Sequence, residues 1–337
     1  MSTRLIQLRK GADRAVALVD EPHLHLLAVA ESIYTLASES LEQRRRLSSL
    51  AAEKATGEVL DYDSVYEGRN EWRILPAIDH PHEPARCLVS GTGLTHLGSA
   101  RDRQSMHSDN ARSDENLTDC MKMFRWGRDG GRPPAGEIGV SPEWFFKGTG
   151  AGLRAHDEAL EIPEYAEDGG EEAEIAGVYL ISAAGQPVRI GMTQGNEFSD
   201  HGFEKRNYLY LASSKLRACA IGPELVIDPE FHSVPGQVSI TRGQHSVWSK
   251  QIRTGEAEMC HTLQNIEHHH FKFAGHRRPG DIHVHFLGAD CLSFGEGVRL
   301  SPGDLVQIHF EGFGRPLRSS VSRADTPSQL VSVTPLE

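Results

Sequence analysis

The sequence predicts an α+β protein in which a small N-terminal α+β domain, residues 1–85, precedes a mainly β catalytic domain, residues 86–337, built on a rolled or closed sheet. Three observations carry that expectation. Short apolar segments with strand-like character recur after Glu174, a helical apolar pattern is confined to the N-terminal portion, and the proline-punctuated stretch ILPAIDHPHEPARC lies between them.

In chain order, Leu5 to Leu8 and Ala15 to Val19 flank a glycine-containing turn and predict a hairpin. Ile33, Leu36, Ala37, Leu41, Leu47 and Leu50 recur at helical spacing, and Arg44, Arg45 and Arg46 within that segment read as its solvated face. Cys87 to Ser90 is a brief apolar strand. Arg101 to Gly139 is polar, glycine-rich and without pattern, the character of a lid or active-site loop. Beyond it, IAGVYLI, PVRIGM, ELVI, QVSIT, DIHVHF and DLVQIHF are strand-like. The Pro-Gly-Asp triplets at Pro279 and Pro302 place proline and then glycine where a type II turn wants them.

A formal charge of −12 argues against nucleic acid or an anionic membrane as the main partner and points to a small ligand. Five cysteines without a CxxC pair predict a reduced, cytoplasmic chain. MSTRLIQLRKGADR lacks the apolar core of a signal peptide, and no segment approaches eighteen apolar residues, so a soluble protein is expected.

The chemistry concentrates at EEAEIAGVYL. Glu172 and Glu174 are two apart, so in a strand they share a face, and two like charges on one patch need a proton, solvent or a cation between them. Oxygen-only donors select a hard cation, Mg²⁺ or Mn²⁺. The ordinary alternative is an exposed pair at a strand end. His283 and His285 also share a face and form the rival, transition-metal reading, whereas His268, His269 and His270 read as a polar strand or turn. No G-x-S-x-G elbow occurs, which argues against a serine hydrolase, and GTGLTHLG lacks the lysine of a phosphate loop.

The order of WFFKGTG, the E-x-E pair, GNEFSDHGFEKRNYLYLASSKLRACAIGPELV and PGDIHVHFLGADCLSFGEG resembles the fumarylacetoacetate hydrolase superfamily over roughly residues 74 to 320. The resemblance implies that Glu172, Glu174 and Glu197 hold Mg²⁺ or Mn²⁺. Glu197 stands where the family usually has aspartate, with Asp200 as a competing ligand. It implies that Lys215 is the active-site lysine and that a lid histidine, His107 in preference to His96, is the second acid/base. Arg101, Lys147, Ser199 and the position of Ala289 are the implied substrate contacts, Ala289 replacing a threonine that commonly holds the substrate carboxylate. NYLYLASSKLR, FFKGTG and GDIHVHFLGADCLSF are most similar to the branch acting on 2-keto-3-deoxy sugar acids. That branch implies a homodimeric hydro-lyase converting a 2-keto-3-deoxypentonate into a 2,5-dioxo acid, 2-oxoglutarate semialdehyde. Carbon-carbon hydrolysis of a diketo acid or acylpyruvate is the alternative. An inactive keto-acid-binding protein, suggested by Glu197 and Ala289, is the second. In the hydro-lyase reading Lys215, its pKa lowered by burial, removes the C3 proton and His107 assists loss of the C4 hydroxyl.

Overall fold

The computed structural model describes residues 2–107, 117–327 and 329–336, with the side chains of residues 104–107 outside that description. The chain opens with β1 (Thr3–Lys10), β2 (Asp13–Asp20) and β3 (His23–Leu27). The first two form the expected hairpin, with Leu5 opposite Leu18 and Leu8 opposite Ala15. Period-two alternation sends their side chains into two different cores. Ile6 and Leu8 pack with Leu24, Tyr62 and Val65, while Leu5 joins Ile33, Leu36 and Leu225.

The helical pattern of residues 33–50 resolves into α1 (Ile33–Glu42), capped by Ser32 accepting from the Thr35 amide at 3.1 Å, and α2 (Leu47–Lys54). The break falls at Arg44, whose φ of 53° lies in the left-handed region and cannot continue a helix. α1 buries Ile33, Leu36 and Ala37 against the sheet. Leu36→Ala is expected to destabilise the protein by about 3 kcal/mol, read as a lower urea midpoint at unchanged slope. β4 (Ala55–Asp61), α3 (Tyr62–Tyr66) and β5 (Arg73–Ile74) complete this portion.

The remaining strands are β6 (Cys87–Gly91), β7 (Phe145–Thr149), β8 (Leu153–Arg154), β9 (Leu160–Ile162), β10 (Ala173–Ile181) and β11 (Pro187–Asn196). After them come β12 (Cys219–Ile221), β13 (Leu225–Ile227), β14 (Val234–Arg242), β15 (His245–Thr254), β16 (Ile282–Phe286), β17 (Asp304–Phe310) and β18 (Leu317–Arg323). Gly280 and Gly303 of the two Pro-Gly-Asp turns have φ of 80° and 88° and lead into β16 and β17, as the turn chemistry requires.

Among the described residues, thirteen strands form one sheet whose main path runs β4-β3-β2-β1-β13-β11-β10-β16-β6-β7. The path has two ends, β4 and β7, that do not meet, so the rolled or closed sheet expected from the sequence is corrected to an open, mixed sheet. β16 with β6 and β12 with β8 pair in parallel, which makes the sheet mixed, and β15-β14-β17-β18-β9 separate into a second sheet. Local alternation reports which face of a strand is apolar; it says nothing about which strand lies beside it. The second sheet packs Val238, Ile240, Val306 and Ile308 against Ala173, Ile175, Met192 and Val226 of the first.

β10 is buried along its whole length because it lies in the interior of this sandwich. The pairing of β1 with β13, Leu5 opposite Leu225, carries the sheet continuously across residue 85. The segment read as an irregular lid contains α4 (Leu97–His107) and α5 (Asp119–Gly130), the latter capped by Thr118. α5 buries only Cys120, Phe124 and Gly127, a stripe too narrow to stand out in a polar sequence.

Candidate active site

The loop between β11 and β12 supplies α6 (His201–Arg206) and α7 (Leu211–Lys215), and these helices fold back over the mouth of β10. Glu172 immediately precedes β10, Glu174 lies within it and Glu197 follows β11. One oxygen from each lies within 4.8 Å of the others, and all three side chains are buried. This is the one such group of metal-ligating side chains among the described residues.

Lys215 ends α7 in the middle of the cluster. Its Nζ donates to Glu172 Oε1 at 2.5 Å and to Glu197 Oε2 at 2.6 Å, and stands 3.5 Å from Glu204 Oε1. The Phe145 ring lies 4.6 Å from the same nitrogen. Glu172 collects further cations: Arg103 donates to both of its oxygens at 3.3 Å, and His201 Nε2 lies 3.1 Å from Oε1. Gly170 makes room for that histidine, since a side-chain carbon there would meet its ring. Glu204 accepts from Arg103 Nε at 3.3 Å and from Ser214 at 2.9 Å. Glu197 accepts from Ser199 Oγ at 2.8 Å, and Lys147 Nζ, which also donates to the Phe198 carbonyl, is 2.8 Å from its other oxygen.

The titration of these groups follows from that geometry. Burial disfavours a charge on Glu172, but Lys215, Arg103 and His201 overcome it and hold its carboxyl well below the usual range. Glu174 is the converse. Burial, then the charges of Glu172 and Glu197, push it well above the usual range; it accepts one bond from the Gly288 amide at 2.6 Å and makes no ion pair among the described residues. Three buried carboxylates converging on one point, one of them pushed toward its neutral form by burial and by the charges of the other two, form an oxygen-only donor set that fits a hard divalent cation.

Burial alone would lower the pKa of Lys215, but Glu172, Glu197 and Glu204 outweigh it and raise the pKa above that of an ordinary lysine. The expectation of a depressed Lys215 is therefore corrected for the protein without a cation. Lys147 is the lysine that burial pushes down, against the pull of Glu197.

Of the other expected residues, Ser199 and Lys147 reach the centre through Glu197. Ala289, also buried, follows the Gly288 that donates to Glu174. Asp200 is absent from the carboxylate group because its oxygens cap α6 at Phe203 and pair with Arg217 at 2.9 Å. Arg101 is exposed on α4, and Arg103, two residues on, is the arginine that turns inward. His96 spends both ring nitrogens on Thr95 and Thr254, and burial lowers its pKa to about 4. His107 closes α4, and its side chain lies outside the described residues.

His283 and His285 join no metal-ligating group among the described residues. His285 is held by Ser90 and Thr92, and His283 by His270. The three consecutive histidines lie in α8 (Leu263–Phe271), a helix where a strand or turn was expected.

Sequence reasoning missed Arg103, His201, Glu204 and Glu143. Glu143, just ahead of β7, is buried. Burial raises its pKa against the opposing pull of Arg103 and of Tyr208, which donates to Oε1, while Glu204 and Lys215 also act on it. Its Oε2 has no hydrogen-bond partner among the described residues and approaches so close to Gly93 that any side-chain carbon there would collide with it. The signal was a carboxylate immediately before WFFKGTG and four residues ahead of its lysine, with nothing local to mark it as buried.

No family model matches the chain. A curated protein of Haloferax volcanii, "Probable 2-keto-3-deoxyxylonate dehydratase", is 28% identical over 180 residues, covering 51% of this chain and 58% of that protein, so the match spans somewhat over half the relative's length. Among solved structures, a hexagonal crystal form of 2-keto-3-deoxyarabinonate dehydratase superposes with a TM-score of 0.71 at 20% identity, covering 96% of this chain and all of that one. The 2-keto-3-deoxy-D-arabinonate dehydratase complexed with magnesium and 2,5-dioxopentanoate gives 0.70 at 20% identity with the same coverage. 2-Hydroxyhepta-2,4-diene-1,7-dioate isomerase from Mycobacterium marinum gives 0.59 at 16% identity, covering 96% of this chain and all of that one. These structural likenesses establish the fold. In fold throughout, and in sequence over 51% of its length, the chain is similar to the 2-keto-3-deoxy sugar-acid dehydratases.

Proposed function

We propose that the chain is a metal-dependent hydro-lyase that removes water from a 2-keto-3-deoxypentonate to give a 2,5-dioxo acid. The observation that carries this reading is the buried carboxylate centre with Lys215 lodged between Glu172 and Glu197. Glu172, Glu174 and Glu197 would hold Mg²⁺, the ion present in the structural relative complexed with 2,5-dioxopentanoate. When bound, such an ion polarises the ketone of a 2-keto acid and draws the carboxylates' negative charge away from Lys215.

The chain's own groups then divide the proton work. With its carboxylate partners drawn to a cation, burial alone would act on Lys215 and its ammonium proton would pass to solvent; the free amine then takes the C3 proton. Glu143, its pKa raised by burial and its Oε1 bonded by Tyr208, delivers a proton to the departing C4 hydroxyl from its unpartnered Oε2. Arg103 keeps Glu172 and Glu204 ionised, and Lys147 with Ser199 fixes the carboxylate of Glu197. Because the acid must be protonated, the rate is expected to fall as pH rises through the Glu143 pKa, which lies above that of an ordinary carboxyl. Glu143→Gln, an acid no longer able to titrate, is expected to lose that alkaline limb along with most of its rate.

A homodimer in a reducing compartment belongs to the same proposal, supported by the family resemblance and by five free, buried cysteines. No helix among the described residues is long and apolar enough to cross a membrane.

The test is to strip the protein with a chelator, restore Mg²⁺ and follow both C4 epimers of 2-keto-3-deoxypentonate by mass spectrometry. Metal-dependent loss of one water from one epimer is expected. Cleavage to pyruvate-sized fragments, or consumption of an acylpyruvate alone, would replace the hydro-lyase with a carbon-carbon hydrolase. Tight binding without turnover would make the protein a keto-acid binder.

A further inference from the structure

The consecutive histidines of α8 and the H-x-H of β16 take no part in the chemistry above, yet they meet at one place. Residues 139–144, which lead into β7, have no strand partner, and β7 is the sheet's terminal strand. Beside the Val140 amide's bond to the Gly130 carbonyl at 2.9 Å and that of Tyr208 to Glu143, this approach is held by α8. Asn265 Oδ1 accepts from the Gly139 amide at 3.0 Å, its Nδ2 donates to the Val140 carbonyl at 2.9 Å, and His269 Nε2 donates to the Gly139 carbonyl at 3.0 Å. At the end of the segment, Trp144 Nε1 donates to His270 Nδ1 at 3.1 Å.

An indole nitrogen only donates, so His270 Nδ1 accepts and its proton resides on Nε2. That nitrogen therefore donates to His283 Nδ1, 2.9 Å away on β16. The His270 ring also lies against His285, centroids 4.4 Å apart and planes at 36°, and His285 is in turn tied to Ser90 and Thr92 at 2.8 and 2.7 Å. The orientation of His270 is thus held from an interior strand, its tautomer follows from the indole donor, and Trp144 is anchored on His270. Trp144 lies between Phe145, whose ring is 4.6 Å from the Lys215 nitrogen, and Glu143, on which Lys215 acts through its charge.

We infer that His270 is a positioning residue: through Trp144 it sets the placement of Glu143 at the entry to β7. The inference rests on the reading of Glu143 as the acid, and the experiment separates the two. His270→Ala, His270→Gln, Glu143→Gln and the double variant His270→Ala/Glu143→Gln are compared at saturating Mg²⁺, following dehydration of the epimer that turns over and exchange of its C3 hydrogen in D₂O. Displacing a catalytic group by about 1 Å costs about 100-fold. His270→Ala is therefore expected to lower kcat on the order of 10- to 100-fold, with KM and C3 exchange retained. His270→Gln, whose amide oxygen can accept the indole proton, is expected to recover most of the loss. In the Glu143→Gln background His270→Ala should cost nothing further, because it acts through a group already removed.

An undiminished kcat in His270→Ala, or the same fold-loss in both backgrounds, overturns the inference while leaving the acid in place. A wild-type rate in Glu143→Gln overturns the acid reading itself. Should His270→Ala not fold, Trp144→Phe keeps the ring and removes the donor. A wild-type kcat in that variant likewise overturns the inference, and a lowered kcat at constant KM upholds it.

Discussion

Lys215→Ala is expected to lower dehydration by about 1,000-fold or more, the upper part of the range for loss of a general base, while Mg²⁺ and a substrate analogue still bind. The ammonium occupies positions 2.5 and 2.6 Å from oxygens of Glu172 and Glu197, two of the three carboxylates that would receive the ion. Lysine and metal therefore compete for the same oxygens, and deleting the lysine should leave Mg²⁺ affinity equal or higher by calorimetry. In the metal-free protein the same change strands buried carboxylates. Breaking such a cluster costs about 3–5 kcal/mol, and added Mg²⁺ should recover much of the lost thermal stability. The decisive measurement is C3 hydrogen exchange in D₂O by NMR: exchange should vanish in the variant, and full exchange would assign the base elsewhere.

Glu172→Ala is expected to abolish metal-dependent turnover. Its carboxylate is the meeting point of Lys215, Arg103 and His201, as well as one of the three candidate ligands. Loss of groups that merely support a ligand commonly weakens metal binding by about 10- to 100-fold, so removal of the ligand itself should exceed that. The two packed sheets do not depend on it, and far-UV circular dichroism should be unchanged. Turnover retained with normal metal dependence would remove Glu172 from the centre.

The parts of this site legible in the sequence were those set by spacing. Glu172 and Glu174 sit at the mouth of a strand and converge because the sheet turns both inward, and Glu197 and Lys215 lie in motifs whose order is informative. What escaped was set by long-range placement. Arg101 and Arg103 are indistinguishable in a helix without an apolar stripe, and only the docking of α4 decides which one is buried. Glu143 has an unremarkable local sequence; its raised pKa comes from burial and, more weakly, from the neighbourhood of Glu204, against the pull of Arg103 and Tyr208. The direction of the Lys215 shift was misjudged because burial was weighed without the three carboxylates that surround it. The open sheet escaped for the same reason, since β1 finds β13 more than two hundred residues away.

That pairing has a consequence for how the molecule can be divided. The proline-rich link at residues 74–87 looks like a seam, but β1 is the neighbour of β13, and β13 is bonded through Val226 to Met192 of the strand that delivers Glu197. A chain begun after the link would bare the backbone donors and acceptors of β13 one strand away from the carboxylate centre. The first ten residues are therefore a wall of the catalytic half, supplied from the far end of the sequence.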